Sequence, residues 1–140
     1  MRFWKERLGL TESELSAFKE IKREDFVPEN VKDKAYDDIP LPLMRGKTIS
    51  QPTTVMLMTH ALELKSGDKV FEVGTGSGYQ TAIIAKIIGP KGKVFTTEII
   101  PELISFAKQN LSNANLEILR FMKMTAQMVC LQKHPLIKSL

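Results

Sequence analysis

The strongest constraint on the fold is a glycine-rich loop between a short apolar run and a helical segment. Residues 69–73 are predicted to form a strand, Gly74-Thr75-Gly76-Ser77-Gly78 follows directly, and residues 80–88 then read as a helix. Gly74 and Gly76 permit a tight turn and a close approach of a ligand to the backbone, and Gly78 opens a helix whose N-terminus is partially positive. The loop therefore predicts a nucleotide-type pocket at the end of a strand.

The order of the elements around this loop predicts the fold class. Gly89 to Gly92 interrupt the helical segment, residues 93–97 form a second predicted strand, and residues 101–111 form a further helix. Strands and helices that alternate in this way indicate an α/β fold with a doubly wound, mainly parallel sheet.

The residues ahead of the first strand differ from this pattern. Thr11 and Glu14 have the spacing of a capping box, and apolar residues at helical intervals predict a helix over residues 12–21. Residues 25–51 contain three prolines and no sustained period, which is typical of an ordered excursion or lid. Residues 53–64 are apolar on most sides, as in a buried helix.

The glycine spacing argues against a dinucleotide site. A dinucleotide fingerprint needs a third glycine three residues after the second, where this chain has Tyr79. Glycines two apart, with acidic Glu72 just before them, resemble instead the first motif of S-adenosylmethionine-dependent methyltransferases. Glu98 lies 20 residues beyond Gly78, at the end of the second strand, where a carboxylate can accept hydrogen bonds from both ribose hydroxyls of a nucleoside. A flexible turn with a solvated strand end is the alternative for the same residues.

Three further segments narrow the class. Arg23-Glu24-Asp25-Phe26-Val27-Pro28, Ala35-Tyr36-Asp37-Asp38 and Thr48-Ile49-Ser50-Gln51-Pro52 precede the glycine loop. The four segments together resemble, in order and spacing, the protein-L-isoaspartate O-methyltransferase family. The resemblance covers roughly residues 18–116, and it implies a Rossmann-like methyltransferase fold that is incomplete at the C-terminus.

The resemblance implies an activity and the residues that carry it. Members of the family transfer a methyl group from S-adenosyl-L-methionine to the free carboxylate of L-isoaspartyl, and in some cases D-aspartyl, residues in damaged proteins, which initiates their repair. Ser50 matches the active-site serine of the family. The implied cofactor-binding residues are Glu72, Gly74, Thr75, Gly76, Ser77, Gly78 and Glu98, and the implied substrate-binding residues are Asp38, Thr48, Ile49, Gln51 and Pro52.

Some of these residues have an alternative interpretation. Ser50 precedes a helix that begins near Pro52, so it could equally be the N-cap of that helix. Asp38 could contact the substrate or cap a turn. His60 lies among apolar residues of a predicted helix and is interpreted as a packed or partly exposed side chain, and no pair of His, Cys or carboxylate residues has metal-ligand spacing.

Charge and cysteine content narrow the class of partner. The first 120 residues hold 17 of the 20 Lys and Arg and all 16 acidic residues, whereas residues 121–140 add Lys123, Lys133 and Lys138 without an acid. A nearly neutral main part gives no electrostatic footprint for nucleic acid. With one cysteine, no signal peptide and no long apolar run, we expect a soluble cytoplasmic monomer that acts on isoaspartyl proteins and peptides and binds neither nucleic acid nor membrane.

The resemblance predicts three parts of the chain. Residues 1–52 form a helical and substrate-covering segment, residues 53–120 form the first half of the S-adenosylmethionine-binding α/β domain, and residues 121–140 form an atypical tail. The family continues with an Asp-Gly motif that closes over the adenine, but residues 121–140 contain neither glycine nor acid.

A reading-frame change near Phe121 is our hypothesis for this tail. In the neighbouring frame the codons permit an acidic glycine motif across residues 122–129 and Pro-x-Asp-Lys-Ile across residues 134–139, and the nucleotide sequence decides the matter. A divergent short homologue is the alternative. We therefore expect weak or no methyl transfer from this chain; another S-adenosylmethionine-dependent enzyme or a non-catalytic fragment are the rival functions.

Overall fold

The computed structural model describes residues 2–114, 116, 119–122 and 137–140, and strands and helices alternate from residue 69 to residue 122. The helices are α1 (Arg2–Leu8), α2 (Glu12–Glu20), α3 (Pro52–Ala61), α4 (Tyr79–Ile88) and α5 (Pro101–Asn113). The strands are β1 (Leu41–Pro42), β2 (Thr48–Ile49), β3 (Lys69–Val73), β4 (Lys93–Thr97), β5 (Leu119–Met122) and β6 (Ile137–Ser139). Short 3₁₀ helices cover Arg23–Phe26, Glu29–Lys34 and Met44–Gly46.

In the four-stranded sheet, β3 and β4 are the two inner strands. Its order is β5-β4-β3-β6, and each neighbouring pair is parallel. The chain passes outward from β3 to β4 and β5 and returns to the other side of β3 as β6, so the predicted α/β class with a doubly wound parallel sheet is confirmed. In sheets of this kind, ligands bind outside the carboxyl ends of the strands, where the winding direction reverses. The glycine loop leaves β3 at this point.

One face of β3 packs on α4. Val70 is buried with Ile84, Ala85 and Ile88 of α4 and with Val94 of β4. Residues alternate between the two faces of a strand, so Glu72 lies on the same face as Val70. The alternation along β3 therefore places the carboxyl group of Glu72 on the face that packs against α4.

The N-terminal half packs on the first turn of α4. Phe26 and Tyr79 have ring centroids 5.6 Å apart, and the Arg23 guanidinium carbon lies 5.0 Å from the centroid of the Tyr79 ring. Tyr79 directly follows Gly78, so these contacts hold the end of the glycine loop.

The predicted capping box is confirmed, since Thr11 Oγ1 accepts from the Glu14 amide and Glu14 Oε2 accepts from the Thr11 amide.

Residues 25–51 are more regular than their sequence indicates. They contain the end of the first 3₁₀ helix, the other two 3₁₀ helices, and the two-stranded antiparallel pair β1–β2, in which Leu41 faces Ile49. Leu41, Leu43 and Ile49 are buried in the main core, with Ala35 completely enclosed. Isolated apolar residues fix this segment, which explains why no period was visible.

The predicted boundary between the sheet and the tail lies inside β5. Residues 121 and 122 pair with β4, and Ile137–Ser139 pair with β3. Residues 123–136 of the predicted tail lie outside the described residues, and the division into three parts stays a prediction. Within the part of the chain that is described, no helix is long and apolar enough to cross a membrane.

Candidate functional site

A cavity of about 450 Å³ opens at the carboxyl ends of β3 and β4. It is called the large cavity here, and it is lined by Gly46, Lys47, Thr48, Val73, Gly74, Gly76, Thr97, Glu98, Ile99, Ile100 and Leu103. A volume of this size is in the range of pockets for small organic ligands. The polar groups come from the strand ends, while α5 and the residues before it supply an apolar wall.

A second, smaller cavity of about 80 Å³ adjoins the first. This small cavity is lined by Thr48, Ile49, Ser50, Val55, Glu72, Gly74, Thr75, Gly76, Ser77, Tyr79 and Gln80. The two cavities share Thr48, Gly74 and Gly76. The glycine loop and the start of β2 thus lie between a space beside Glu98 and a space beside Ser50.

The backbone of the glycine loop leaves room for a ligand at two positions. Gly74 and Gly76 have φ angles of +89° and +56°, and a Cβ atom at either residue would meet no protein atom within 4 Å. Both amides of Gly74 and Thr75 donate to the Thr97 carbonyl, at 2.9 Å, which fixes the loop on the end of β4. The open space at the two glycines fits a cofactor that lies against the loop backbone.

Gly78 has a different environment. It lines neither cavity, and a Cβ atom there would lie 3.0 Å from Cγ of Leu111 in α5. The neighbouring Ser77 carbonyl accepts from Asn110 Nδ2 at 3.0 Å. Of the three glycines, Gly78 is therefore explained by the close packing of the loop on α5, and Gly74 and Gly76 by the cavities.

Glu98 accepts three backbone hydrogen bonds. Its Oε2 accepts from the Gly76 amide at 3.0 Å, and its Oε1 accepts from the amides of Ile99 and Ile100 at 2.8 and 3.1 Å. The carboxylate therefore braces the glycine loop while it lines the large cavity. A carboxylate oxygen can accept two bonds, so Oε2 keeps capacity for a hydroxyl group of a ligand.

Glu72 is buried in a network of hydroxyl groups. Its side chain is 2% exposed, and its Oε2 accepts from the hydroxyls of Thr81 and Thr96, each at 2.5 Å. Since Thr96 donates to Glu72, the 2.7 Å contact between Thr75 and Thr96 has the Thr75 hydroxyl as donor. The pKa of Glu72 is raised to about 7, mainly by burial and in smaller part by the nearby charge of Glu98, while the hydrogen bonds from the two hydroxyls act in the opposite direction.

Glu72 makes the stability depend on pH. The folded protein keeps the Glu72 proton up to about pH 7, whereas the unfolded chain releases it near 4.5. The stabilisation that comes from keeping Glu72 protonated is fully present below pH 4.5 and is lost as the pH rises through 7. The loss in the free energy of unfolding amounts to up to about 3 kcal/mol. We expect urea unfolding between pH 5 and 8 to show Glu72→Gln gaining stability relative to the wild type as the pH rises. A constant difference between the two curves would contradict the burial of an ionisable Glu72.

The segment around Ser50 borders the small cavity. Thr48, Ile49 and Ser50 line it, and Ile49 is also part of the core. The N-cap of α3 is Gln51, whose own side chain makes no cap hydrogen bond. The alternative interpretation of Ser50 as N-cap is therefore wrong, and within the described residues its hydroxyl has no hydrogen-bond partner.

Asp38, Gln51 and Pro52 lie outside the lining of both cavities. The Oδ1 atom of Asp38 accepts from the Thr53 amide at 2.8 Å, in the first turn of α3. Thr53 Oγ1 also accepts from Nε1 of Trp4 at 3.0 Å. Asp38 thus satisfies a free amide at the start of α3 and fixes the residues that follow Ser50.

Sequence reasoning missed the apolar wall of the large cavity. Ile99 is 70% exposed and Val73 is 52% exposed, and Ile100 and Leu103 complete the lining. The available signal is the pair Ile99 and Ile100, two apolar residues that come shortly after the end of a predicted strand. Arg45, which has a left-handed backbone, pairs with Glu102 of α5 through Nε at 2.8 Å, and this ion pair joins the turn before β2 to the far side of the cavity.

His60 is half-exposed and lies 3.1 Å, through Nδ1, from both carboxylate oxygens of Glu14. This contact joins the C-terminal end of α3 to α2. Among the described residues, no group of three His, Cys, Asp or Glu side chains could hold a metal ion.

The chain is similar to known proteins in both sequence and fold. A family model described as protein-L-isoaspartate(D-aspartate) O-methyltransferase matches residues 3–131. The protein-L-isoaspartate O-methyltransferase of Methanopyrus kandleri is 48% identical over 107 residues, which are 76% of this chain and 46% of the relative. That of Ignicoccus hospitalis is 52% identical over 95 residues, 68% of this chain and 45% of the relative. The chain spans slightly under half the length of these relatives.

Solved structures give the same result for the fold. A structure titled protein-L-isoaspartate O-methyltransferase has a TM-score of 0.81 and 28% identity, over 98% of this chain and 46% of the other. A Plasmodium falciparum protein of the same description, solved in complex with S-adenosyl-L-homocysteine, has a TM-score of 0.70 and 21% identity, over 86% of this chain and 59% of the other.

Proposed function

The chain belongs to the protein-L-isoaspartate(D-aspartate) O-methyltransferase family, and from this membership we propose that it binds S-adenosyl-L-methionine and methylates the free carboxylate of isoaspartyl residues in damaged proteins. The proposed substrates are isoaspartyl proteins and peptides, and their methylation initiates repair.

The observation that carries this proposal is the junction of the two cavities. Gly74 and Gly76 line both, so a ligand held against their backbone reaches from Glu98 to the neighbourhood of Ser50. A methyl transferase needs such a junction, because the donor and the acceptor must meet at one point. The open space at both glycines supports the cofactor assignment.

The proposed cofactor residues act mainly by position. Glu98 would accept a hydrogen bond from a ribose hydroxyl, and Gly74 and Gly76 would contact the methionine and ribose part. Thr75 and Ser77 would fix the conformation of the glycine loop, since the Thr75 hydroxyl bonds Thr96 and the Ser77 carbonyl accepts from Asn110. We further propose that Ile99, which lies next to Glu98 on the wall of the large cavity, contacts the base.

The proposed reaction needs no strong base. An isoaspartyl carboxylate is ionised at neutral pH, and the cofactor supplies a methyl group on a sulfonium, which is its own leaving group. What the protein contributes is alignment of donor and acceptor. The free hydroxyl of Ser50 would donate to the attacking carboxylate and orient it, Thr48 and Ile49 would flank it, and Asp38, Gln51 and Pro52 would hold the segment in place.

We expect slow transfer from the 140-residue chain. The adenine-closing Asp-Gly motif that the family resemblance calls for does not follow β5 in this sequence, since residues 121–140 have neither residue type. The affinity for the donor should therefore be weaker than a closed site would give.

Replacement of Ser50 tests the proposed acceptor site. We expect Ser50→Ala to lower the rate of methyl transfer from labelled donor to an isoaspartyl peptide at least 10-fold, with the affinity for S-adenosylhomocysteine within about 2-fold, because one oriented hydrogen bond is lost. Ser105→Ala is the control, since that exposed hydroxyl, among the residues the structure describes, bonds only the Pro101 carbonyl within α5. Equal rates for Ser50→Ala and Ser105→Ala would remove Ser50 from the proposal.

A further inference from the structure

Arg23 is a buried cation without a hydrogen-bond or ion-pair partner among the described residues. Its side chain is 0% exposed, and none of its three guanidinium nitrogens has a hydrogen-bond partner in that part of the chain. The ion pairs found there do not include it either. Burial lowers the pKa of Arg23, but a guanidinium stays protonated in proteins. The N-terminal half therefore keeps a positive charge in its core.

Asp38 compensates this charge only in part. Its negative charge acts on Arg23 from a distance, but Asp38 is exposed and its carboxylate accepts from the Thr53 amide. Water screens the charge of an exposed group. Because an unpaired buried charge lowers the stability of a fold, packing alone does not account for an arginine at this position.

Tyr79 connects the buried charge to the small cavity. The guanidinium carbon of Arg23 lies 5.0 Å from the centroid of the Tyr79 ring, and Tyr79 is one of the residues that line the small cavity. Tyr79 and Phe26, whose ring packs on it, are each 1% exposed. Solvent is thus excluded from the side chains around the charge, so its field is screened less than that of a surface cation.

The lining of the small cavity contains no positive side chain. No Lys, Arg or His is among the lining residues, and the one carboxyl group there is that of Glu72. A carboxylate that enters such a space loses hydration and needs a compensating charge. Lys47 lines the adjoining large cavity but is exposed to water. Among the residues whose side chains are described, Arg23 is the one buried cation.

We propose that Arg23 is a positioning residue for the methyl acceptor, because its buried charge attracts the isoaspartyl carboxylate into the small cavity from the side of Tyr79. This inference rests on the proposed function, in which the attacking carboxylate lies beside Ser50. Arg23 lines neither cavity, so it acts at a distance. Coulomb's law with an effective dielectric constant of about 20 gives a roughly 10-fold gain in affinity for a unit charge about 10 Å away.

Methyl transfer ends this attraction. The carboxylate oxygen forms the bond to the methyl carbon, the bond from that carbon to sulfur breaks, and sulfur keeps the electron pair. The carboxylate thus becomes a neutral ester, on which the charge of Arg23 has little effect. The attraction therefore favours binding of the acceptor over binding of its methylated product.

Binding of two matched peptides tests this inference. One peptide carries the isoaspartyl carboxylate, and the other has a carboxamide in its place, so that both can accept from the Ser50 hydroxyl but differ in one charge. Each is titrated calorimetrically into the full 140-residue chain at neutral pH with saturating S-adenosylhomocysteine. For the wild type we expect the carboxylate peptide to bind at least 10-fold more tightly than the carboxamide peptide.

Arg23→Met is the main variant, because methionine fills a similar volume and removes the charge. We expect it to bind the carboxylate peptide about 10-fold more weakly than the wild type does and the carboxamide peptide within 2-fold of it. Lys86→Met is the control, since it removes an exposed cation that pairs with Glu20 from the same helix as Tyr79, and it should keep the wild-type ratio. If Arg23→Met does not fold, Arg23→Gln removes the same charge and should give the same result.

The possible failures are distinguishable. Equal losses for the two peptides in the Arg23 variant would overturn the inference and leave Arg23 with packing on Tyr79 alone, and an unchanged ratio would overturn it as well. Equal affinity of the wild type for both peptides would also overturn it, with the acceptor site retained. Binding of neither peptide by the wild type would overturn the proposed function together with this inference.

Discussion

Gly74→Ala is expected to weaken the binding of S-adenosylhomocysteine at least 100-fold. A Cβ atom at this residue meets no protein atom within 4 Å and enters the space that both cavities share. The methyl group would therefore occupy the position of the ligand against the loop backbone. The φ angle of +89° adds backbone strain of about 1 kcal/mol to the variant, which lowers its stability as well.

Gly67→Ala separates the two effects. Gly67 has nearly the same φ angle, +88°, and its Cβ atom would lie 4.0 Å from Cβ of Lys91, in a turn that lines neither cavity. We expect both variants to lose about the same free energy of unfolding in urea titrations, and Gly67→Ala to bind S-adenosylhomocysteine as the wild type does. Equal affinity of the two variants, measured by calorimetry, would show that the cofactor does not lie against Gly74.

Arg23 is expected to give the largest change in stability. Its side chain is 0% exposed, it lies over the ring of Tyr79, and burial lowers its pKa. None of its three guanidinium nitrogens has a hydrogen-bond partner among the described residues. Arg23→Ala leaves a cavity behind the glycine loop, and we expect it to lower the free energy of unfolding by about 3–4 kcal/mol.

Arg23→Met should behave differently from Arg23→Ala. A methionine fills a similar volume and removes the unpartnered nitrogens, so the loss of the contact with the Tyr79 ring is offset by the removal of a buried charge. We expect a free energy of unfolding within about 1 kcal/mol of the wild type, or above it. If the methionine variant is as unstable as the alanine variant in urea titrations, the guanidinium group itself stabilises the fold, beyond the effect of the space that the side chain fills.

Local sequence patterns were sufficient for the elements that follow short-range rules. The capping box of α2, the strand before the glycine loop and the break at Gly89 each depend on residues within a few positions of one another. Spacing from the glycine loop identified Glu98, and the family resemblance identified Ser50. These two residues are 48 residues apart and line adjoining cavities. The folded chain brings these two residues together, although they are far apart in the sequence. The sequence shows nothing of this proximity directly, and the known order of the family's motifs was needed to infer it.

The roles within the site depend on contacts that no spacing shows. Gly74 and Gly78 look equivalent in the sequence, yet a Cβ atom would enter open space at the first and meet Leu111 of α5 at the second. The same limit applies to Asp38, whose carboxylate bonds the amide of Thr53. Packing of distant elements decides these roles, so only the folded arrangement distinguishes them.

The most direct test of the cofactor site is a titration of the isotopically labelled chain with S-adenosylhomocysteine, followed by NMR of the backbone amides. The Gly76 and Ile99 amides both donate to Glu98 beside the large cavity, so we expect them to shift saturably together with the Gly74 amide. Gly67 and Gly89, which lie in turns away from both cavities, should not shift. Saturable shifts confined to residues outside the two cavities, or no saturable shift at all, would contradict the assignment of this junction as the cofactor site.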